Sequence, residues 1–548
     1  GANTTGTRNT AVGTNALDAN TTASYNNAFG WSSLGANTTG EENVAMGDNS
    51  LLVNTTGSKN TALGTSTLAA NTTASNNTAV GYAALNANTT GTYNTSVGAS
   101  ALDANVTNSY NTALGTNALS ASTADFNTAV GANAAILTTS GTENVAIGGN
   151  ALDANTTGSF NVAVGTSALG GNTTASNNTA VGVNALVSNT TATNNTAVGH
   201  QALDANTTGA ENTAVGNDAL SGNTTASNNT AVGRKSLLST TTGHSNTAMG
   251  ETSGQSITGS GNTAIGREAM QLGTGGEDNV AVGYRALQDC AGDNNVGIGR
   301  NALTQLTSGG GNVAVGQTAG QDLTTGSTNT FIGIRAGQNI TTASNNTAIG
   351  VDTMEDATTA FDNTCVGTNA GANLTSGDNN CLLGQGAGKA GSPGGQFTNH
   401  DNRVVLGNGD IQELNCEVSL SVASDERDKT DFTALDIGLD FVKSLKPYTY
   451  KWDKRHKYVD WKKNPNTDLN SITHDGTHKE DWLDIGFKAQ EVEKLEKAAG
   501  YNRTNKTNLT YALSGDGKQY SMKYEKLVPI LVKAIQELEA KVAKLESE

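Results

Sequence analysis

The sequence predicts a mostly β chain: a solenoid or roll of stacked 17-residue units, followed by a small α/β domain that ends in a coiled-coil helix. Three observations carry this. One short polar sentence, as in "NNTAVGVNALVSNTTATNNTAVGHQALDANTTGAENTAVG" (residues 177–216), recurs along most of the chain. Only 35% of residues are hydrophobic and 5% aromatic, against 66 glycines, so no ordinary globular core fits the repeated part. From Ser424 onward the aromatic, lysine and tryptophan content rises, with Trp452, Trp461 and Trp482 here and Trp31 alone outside.

Aligned on the asparagine of N-T-A-V-G, 23 copies run from Asn9 to Asn380, spaced 17 residues apart with occasional steps of 16. The consensus is N-T-A-V-G-x-x-A-L-x-A-N-T-T-G/A-x-x. Each copy offers two short strand candidates, T-A-V and A-L-x-A. Glycine follows the first and N-T-T-G or N-T-T-A-S the second, and Gly and Asn tolerate positive φ at such turns. The few small apolar side chains of one copy cannot close a core, but stacked copies can, with Val of one rung lying on Val of the next. The period is too short for helix-pair repeats, and the leucine-rich pattern is absent. Identical asparagines recurring at about 4.8 Å can form an amide ladder. At that rise the 23 copies would make a body roughly 110 Å long. Each chain making its own roll and three chains intertwined in a β-helix or prism both remain open here.

The net charge of −17 lies in the repeats: residues 1–423 hold 27 acidic and 10 basic residues, and residues 424–548 hold 22 of each. An acidic body is a poor partner for phosphate backbones, which argues against nucleic acid. No run of about 18 apolar residues offers a transmembrane helix. The chain begins at Gly1 without a signal-like segment, so it is expected to be part of a longer protein. Cys290, Cys365, Cys381 and Cys416 lack metal-ligand spacing. Cys365 fills an Ala slot and Cys381 a Thr slot of the next copy, so unpaired thiols are expected. His474 and His478 flank Gly476 in a loop pattern, and "GGGNVAVG" is the repeat itself rather than a phosphate loop. No metal or cofactor is expected.

The repeats assign residues 1–384 to the shaft. Residues 385–423 read as a junction: a loop, "GQGAGKAGSPGGQFTNHDN", then a strand pair turning at Gly407–Gly409. Residues 424–548 form the terminal domain. Within it, residues 527–546 carry a heptad seam, with Val528, Ile535 and Val542 at a and Leu531, Leu538 and Leu545 at d. A single amphipathic helix packed on its own domain would show a similar stripe. By intrinsic preference, β-branched a with Leu at d leans to two strands.

The repeats resemble the head repeats of trimeric autotransporter adhesins, left-handed β-rolls, and similar runs in phage tail fibres. They depart from the adhesin pattern in their longer rungs and N-T-T corner, and no membrane-embedded barrel follows them. "SDERDKTDF", "LDFVKSLKPYTYKWD", "DIGFKAQEVEKL" and "LVPILVKAIQELEAKV" occur in this order. They resemble the C-terminal intramolecular chaperone domain of phage tailspikes, tail fibres and endosialidases, the S74 peptidase type. That resemblance implies a homotrimer assembled in register, an upstream tail or baseplate protein as partner, and a host cell-surface receptor, glycans among the candidates. It places the protein in the virion, made in the host cytoplasm and extracellular when functional.

The resemblance further implies chemistry at the junction. The family motif S-D-x-R-x-K falls on Ser424, Asp425, Arg427 and Lys429. Ser424 would attack the carbonyl of Ala423 with Lys429 as general base, and Asp425 and Arg427 would support the motif. A lysine does this only when burial or a nearby cation favours its neutral form. If the chain is an enzyme at all, it is a single-turnover, self-cleaving serine endopeptidase. The plain alternative makes Ser424 a cap and Lys429 a solvated charge. Other functions stay open: an ice- or carbohydrate-binding solenoid using threonine columns, or a bacterial surface adhesin. No paired carboxylates stand out for glycoside cleavage.

Overall fold

Each coil of the computed structural model spends only three residues on a strand. The structure describes residues 3–411, 413–417, 424–459, 464, 467–514 and 517–548. The chain divides into two units, Gly1–Asn312 and Val313–Glu548.

In the first unit 18 strands, from Thr10–Val12 to Val296–Ile298, pair in parallel with their sequence neighbours at one-repeat register. Thr196, Ala197 and Val198 lie on Thr213, Ala214 and Val215, for example. Valines do stack on valines, but outside the coil. The strand's middle alanine points inward and is fully buried, while the flanking residues are half-buried or exposed, Val215 at 37% and Ile147 at 40%. The second strand candidate, A-L-x-A, is a turn. Its leucine adopts the left-handed region, as Leu203 does at φ 53, yet is wholly buried. Full burial of a leucine is worth about 2 kcal/mol, enough to offset a left-handed residue's cost of about 1–2 kcal/mol. Positive φ therefore falls on this leucine, on the residue two before it (Gln201 at φ 54) and on the residue before the repeat asparagine, not on the N-T-T corner. The glycine after each strand is obligatory: Gly199 sits at φ +142, and a Cβ there would meet the Gly216 carbonyl one coil on.

Two asparagine columns stitch the coils internally. The Asn195 peptide N–H donates to Asn178 Oδ1, and Asn195 Oδ1 accepts from the Asn212 N–H, both at 2.9 Å. The N-T-T asparagine makes a second column: Asn206 Nδ2 donates to Asn189 Oδ1 at 3.1 Å. Both amides converge on the Gly209 carbonyl at 2.9 Å. All of these asparagines are buried. Replacing Asn195 with alanine strands the Asn212 N–H and removes one donor from Gly209, a cost of about 2 kcal/mol. Amide hydrogen exchange in the adjacent coils should accelerate roughly 30-fold; unchanged rates would show that the column is dispensable. The first threonine of N-T-T is also committed to cohesion, as Thr55 Oγ1 donates to the Thr72 carbonyl at 3.0 Å.

The second unit opens with six more coils of the same kind, from Val313–Val315 to Val404–Leu406. Here large inward residues are balanced by glycine in the leucine slot. A Cβ on Gly337 would lie 2.7 Å from the Phe331 ring, and one on Gly371 would lie 2.8 Å from Cys365 Sγ. Core volume is conserved by paired changes. The strand Val404–Leu406 pairs in parallel with Cys381–Leu383. It therefore forms a further coil rather than half of an antiparallel pair, and the loop before it is an insertion within that coil. The described residues after the Gly407–Gly409 turn, 410–411 and 413–417, form no partner strand, and residues 412 and 418–423 lie outside the described residues. In both units one chain closes its own core, so the intertwined alternative is not what these residues form. All four cysteines are free, and burial pushes the Cys290 thiol up to about 11 and Cys365 to about 12.

The rest of the second unit is a small α/β fold. Helices α1 (Leu439–Ser444) and α3 (Leu527–Ser547) share a core of Ile437, Phe441, Leu527 and Ile530, with Val442, Phe487 and Leu495 packed around it. Helix α2 (Ala489–Ala498) turns Ala489, Val492 and Glu496 inward. Two antiparallel pairs, Tyr448–Tyr450 with Asp484–Gly486 and Tyr511–Leu513 with Tyr520–Met522, complete it.

Candidate active site and assembly surface

The junction motif folds locally through one short 3-10 turn, Glu426–Asp428. Asp425 caps that turn, accepting from the Arg427 N–H at 2.9 Å. Ser424 is not the cap. The turn folds Lys429 back so that its Nζ donates to Ser424 Oγ at 2.5 Å. Both side chains are exposed within one chain. Arg427 is engaged elsewhere: its guanidinium forks onto the Asp425 carboxylate, with Nη2 to Oδ2 at 2.5 Å. That hydrogen bond holds Asp425 below the usual carboxylate range and raises Arg427. Arg427 is therefore not the cation that would strip a proton from Lys429. Ala423 lies outside the described residues.

The domain is seated on the last coil by side chains outside the sequence motif. Lys454 Nζ donates to the Gly409 carbonyl at 3.1 Å, and His456 Nε2 lies 3.2 Å from Asp410 Oδ1. The His456 ring fills a recess that needs glycine at 391 and 409, since a Cβ on either would strike the imidazole. Burial lowers the His456 pKa, opposed by Asp410.

Two glutamates, one buried and one half-buried, fix the scaffold. Glu496, fully buried, accepts from the Leu509 and Thr510 peptide N–H groups at 2.7 Å and from Thr510 Oγ1 at 2.5 Å. An acidic residue at i+4 and i+7 from Val492 and Ala489 was the available signal. On α3, Glu537 accepts from the Leu439 N–H at 2.7 Å and so caps α1; a side chain at Gly438 would collide with it. Glu496→Ala should destabilise the domain by about 3 kcal/mol. The check is a lower guanidinium midpoint followed through Trp452 and Trp482 fluorescence; an unaltered midpoint would show that the clamp carries no load.

Helix α3 has two apolar faces. Leu527, Ile530 and Ala534 are buried against its own domain. The heptad residues form the other: Val528 (57% exposed), Leu531, Ile535 (66%), Leu538, Val542 and Leu545 (72%). The alternative in which this seam packs on its own domain is thus not realised, because a different stripe does that packing. His474 and His478 sit around Tyr458 by ring contacts. Among the described residues no cluster of three or more His, Cys, Asp or Glu is placed to hold a metal, and no helix is long and apolar enough to cross a membrane.

No curated protein and no solved structure matches the chain. Residues 424–501, which contain the Ser424–Lys429 contact, α1 and α2, match the Peptidase_S74 family, described as the chaperone of endosialidase; a β-solenoid shaft followed by that domain fits a tail fibre carrying a C-terminal chaperone.

Proposed function

We propose that this chain is the distal part of a homotrimeric phage tail fibre. Its shaft presents a host-binding surface, and its terminal domain drives assembly and then cuts itself off before Ser424. One observation carries the reading: a heptad seam left in solvent on a helix whose other apolar face is already buried. Six exposed Val, Ile and Leu residues on one helix are a large apolar liability for a lone chain. The outward Val, Ile, Met and Leu column of the coils adds a long apolar stripe, which side-by-side rolls would cover. Native mass spectrometry of the purified chain should give a three-chain mass, and monomers alone would overturn the reading.

The cleavage chemistry balances without a cofactor. Ser424 Oγ attacks the Ala423 carbonyl while Lys429 takes the hydroxyl proton. The peptide C–N bond breaks as the ester C–O bond forms, and the Ser424 nitrogen leaves as an amine. Water then hydrolyses the ester to a carboxylate on Ala423 and a free hydroxyl on Ser424. A lysine serves as base only after desolvation or a nearby cation takes its proton away. Arg427 is paired elsewhere, so desolvation by neighbouring chains is the remaining route. Cleavage would then report completed assembly and leave the fibre kinetically trapped.

An upstream tail or baseplate protein and a host receptor are the partners this role needs, and the virion is its location. The ice-binding alternative is weakened because one of the two N-T-T threonine columns is committed to coil-to-coil hydrogen bonds. A bacterial adhesin would need the same shaft and the same assembly step.

A further inference from the structure

The residue before each repeat asparagine is held in the left-handed region and projects outward. Asparagine is its default in many coils, as at Asn177, Asn194, Asn228 and Asn294, because asparagine tolerates that conformation. Between residues 93 and 160 the sequence instead places large rings at this strained corner: Tyr93, Tyr110, Phe126 and Phe160, each between 52% and 55% exposed. The first three stack face to face, at 5.2 Å and 5° and then 5.1 Å and 4°. Glu143 takes the next corner, and Phe160 follows it. Beyond Phe126 lies an open recess of about 410 Å³ bordered by Glu143 and Val145. Phe160 has no ring partner, and the Glu143 carboxylate has no hydrogen-bond or ion-pair partner, among the described residues. At about 4.8 Å per coil, Phe126 and Phe160 stand roughly 10 Å apart, with the carboxylate's coil between them.

The same chain shows what such corners take. One coil from Tyr25, the corner residue Arg8 lays its guanidinium 5.1 Å from the Tyr25 ring centroid. On a different column, just after the strand glycine, Tyr284 likewise receives Arg267 and Arg285 at 4.8 and 5.0 Å. At Glu143 the cation is replaced by a carboxylate, so the charge that would sit between the rings must come from outside. The net −17 of residues 1–423 raises the local concentration of cations.

We propose that Phe126, Glu143 and Phe160 form a slot for an organic ammonium group, held by cation–π attraction and the carboxylate. It supplies a contact for the receptor-presenting role and rests on that role for its purpose, not for its chemistry. The test uses the full chain and choline as probe, with 3,3-dimethylbutan-1-ol as its neutral isostere, followed by saturation-transfer and titration NMR. Choline should bind, the isostere about tenfold more weakly. Glu143→Gln and Phe160→Asn should each weaken choline about five- to tenfold; the second variant restores the corner's default residue and so keeps the coil. An ethylammonium arm separates primary from quaternary ammonium preference, and binding of either supports the slot. Absence of binding by both ammonium probes, equal binding of the isostere, or variants indistinguishable from the parent chain would overturn it. Native mass on the same samples reports the trimer separately, so the two readings fail independently.

Discussion

Ser424→Ala is expected to leave the chain whole indefinitely, whereas the parent chain sheds a fragment spanning residues 424–548. The effect is large because the hydroxyl is the attacking atom: removing the nucleophile of such a pair costs roughly 10⁴-fold or more. Lys429→Met should match it, and Lys429→Arg should not rescue, since a guanidinium holds its proton. Arg427→Ala should be much milder. Arg427 supports the Asp425 cap, 88% of its side chain is exposed, and its guanidinium is paired with Asp425. Denaturing mass spectrometry over hours to days reads all four. A parent chain that never yields the fragment would remove the proteolytic claim, while leaving the assembly claim to be judged by native mass.

The second large effect belongs to the helix seam. Replacing Ile535 and Leu538 together with aspartate should convert the three-chain mass to a single-chain mass. Covering a Val, Ile or Leu fully is worth about 1.5–3 kcal/mol, and these positions begin about half exposed. Six of them per chain supply about 5–8 kcal/mol before association costs are met. Two aspartates remove part of that and add charges that the interface would have to desolvate. The domain itself should stay folded, because its own packing uses Leu527, Ile530 and Ala534, and tryptophan fluorescence should barely change. The same variant should also stop cleaving although Ser424 and Lys429 are intact, if burial by neighbouring chains is what activates the lysine. A monomer that cleaves at the parent rate would separate the two activities and sink the timing argument.

Much of the architecture was legible because it rests on identity at a fixed spacing. Stacking like on like needs only that the residues recur, so the parallel pairing, the asparagine ladder and all but the last coil follow from the repeat. What the repeat could not say was which way a side chain points. Val and Ala alternate in T-A-V, and hydrophobicity favours Val for the interior. The alanine goes inside because the interior is already filled by leucine and two asparagine columns, leaving room for a methyl group. The A-L-x-A segment shows the opposite limit. Its apolar pattern suits a strand, yet burying the leucine while turning the chain puts it at positive φ, a tertiary demand that overrides local preference.

At the junction, the residue types of the Ser424–Lys429 pair were readable from the motif, but their 2.5 Å contact and the diversion of Arg427 onto Asp425 depend on a single 3-10 turn. Sequence alone determined a repeating shaft, a change of composition near Ser424 and an apolar heptad stripe, because these are matters of periodicity and composition. Only the tertiary structure decided that this stripe faces solvent while a second stripe on the same helix holds the domain together. The reason is geometric: a helix carries both faces at once, and which one its own chain covers depends on where α1 and its Phe441 come to lie.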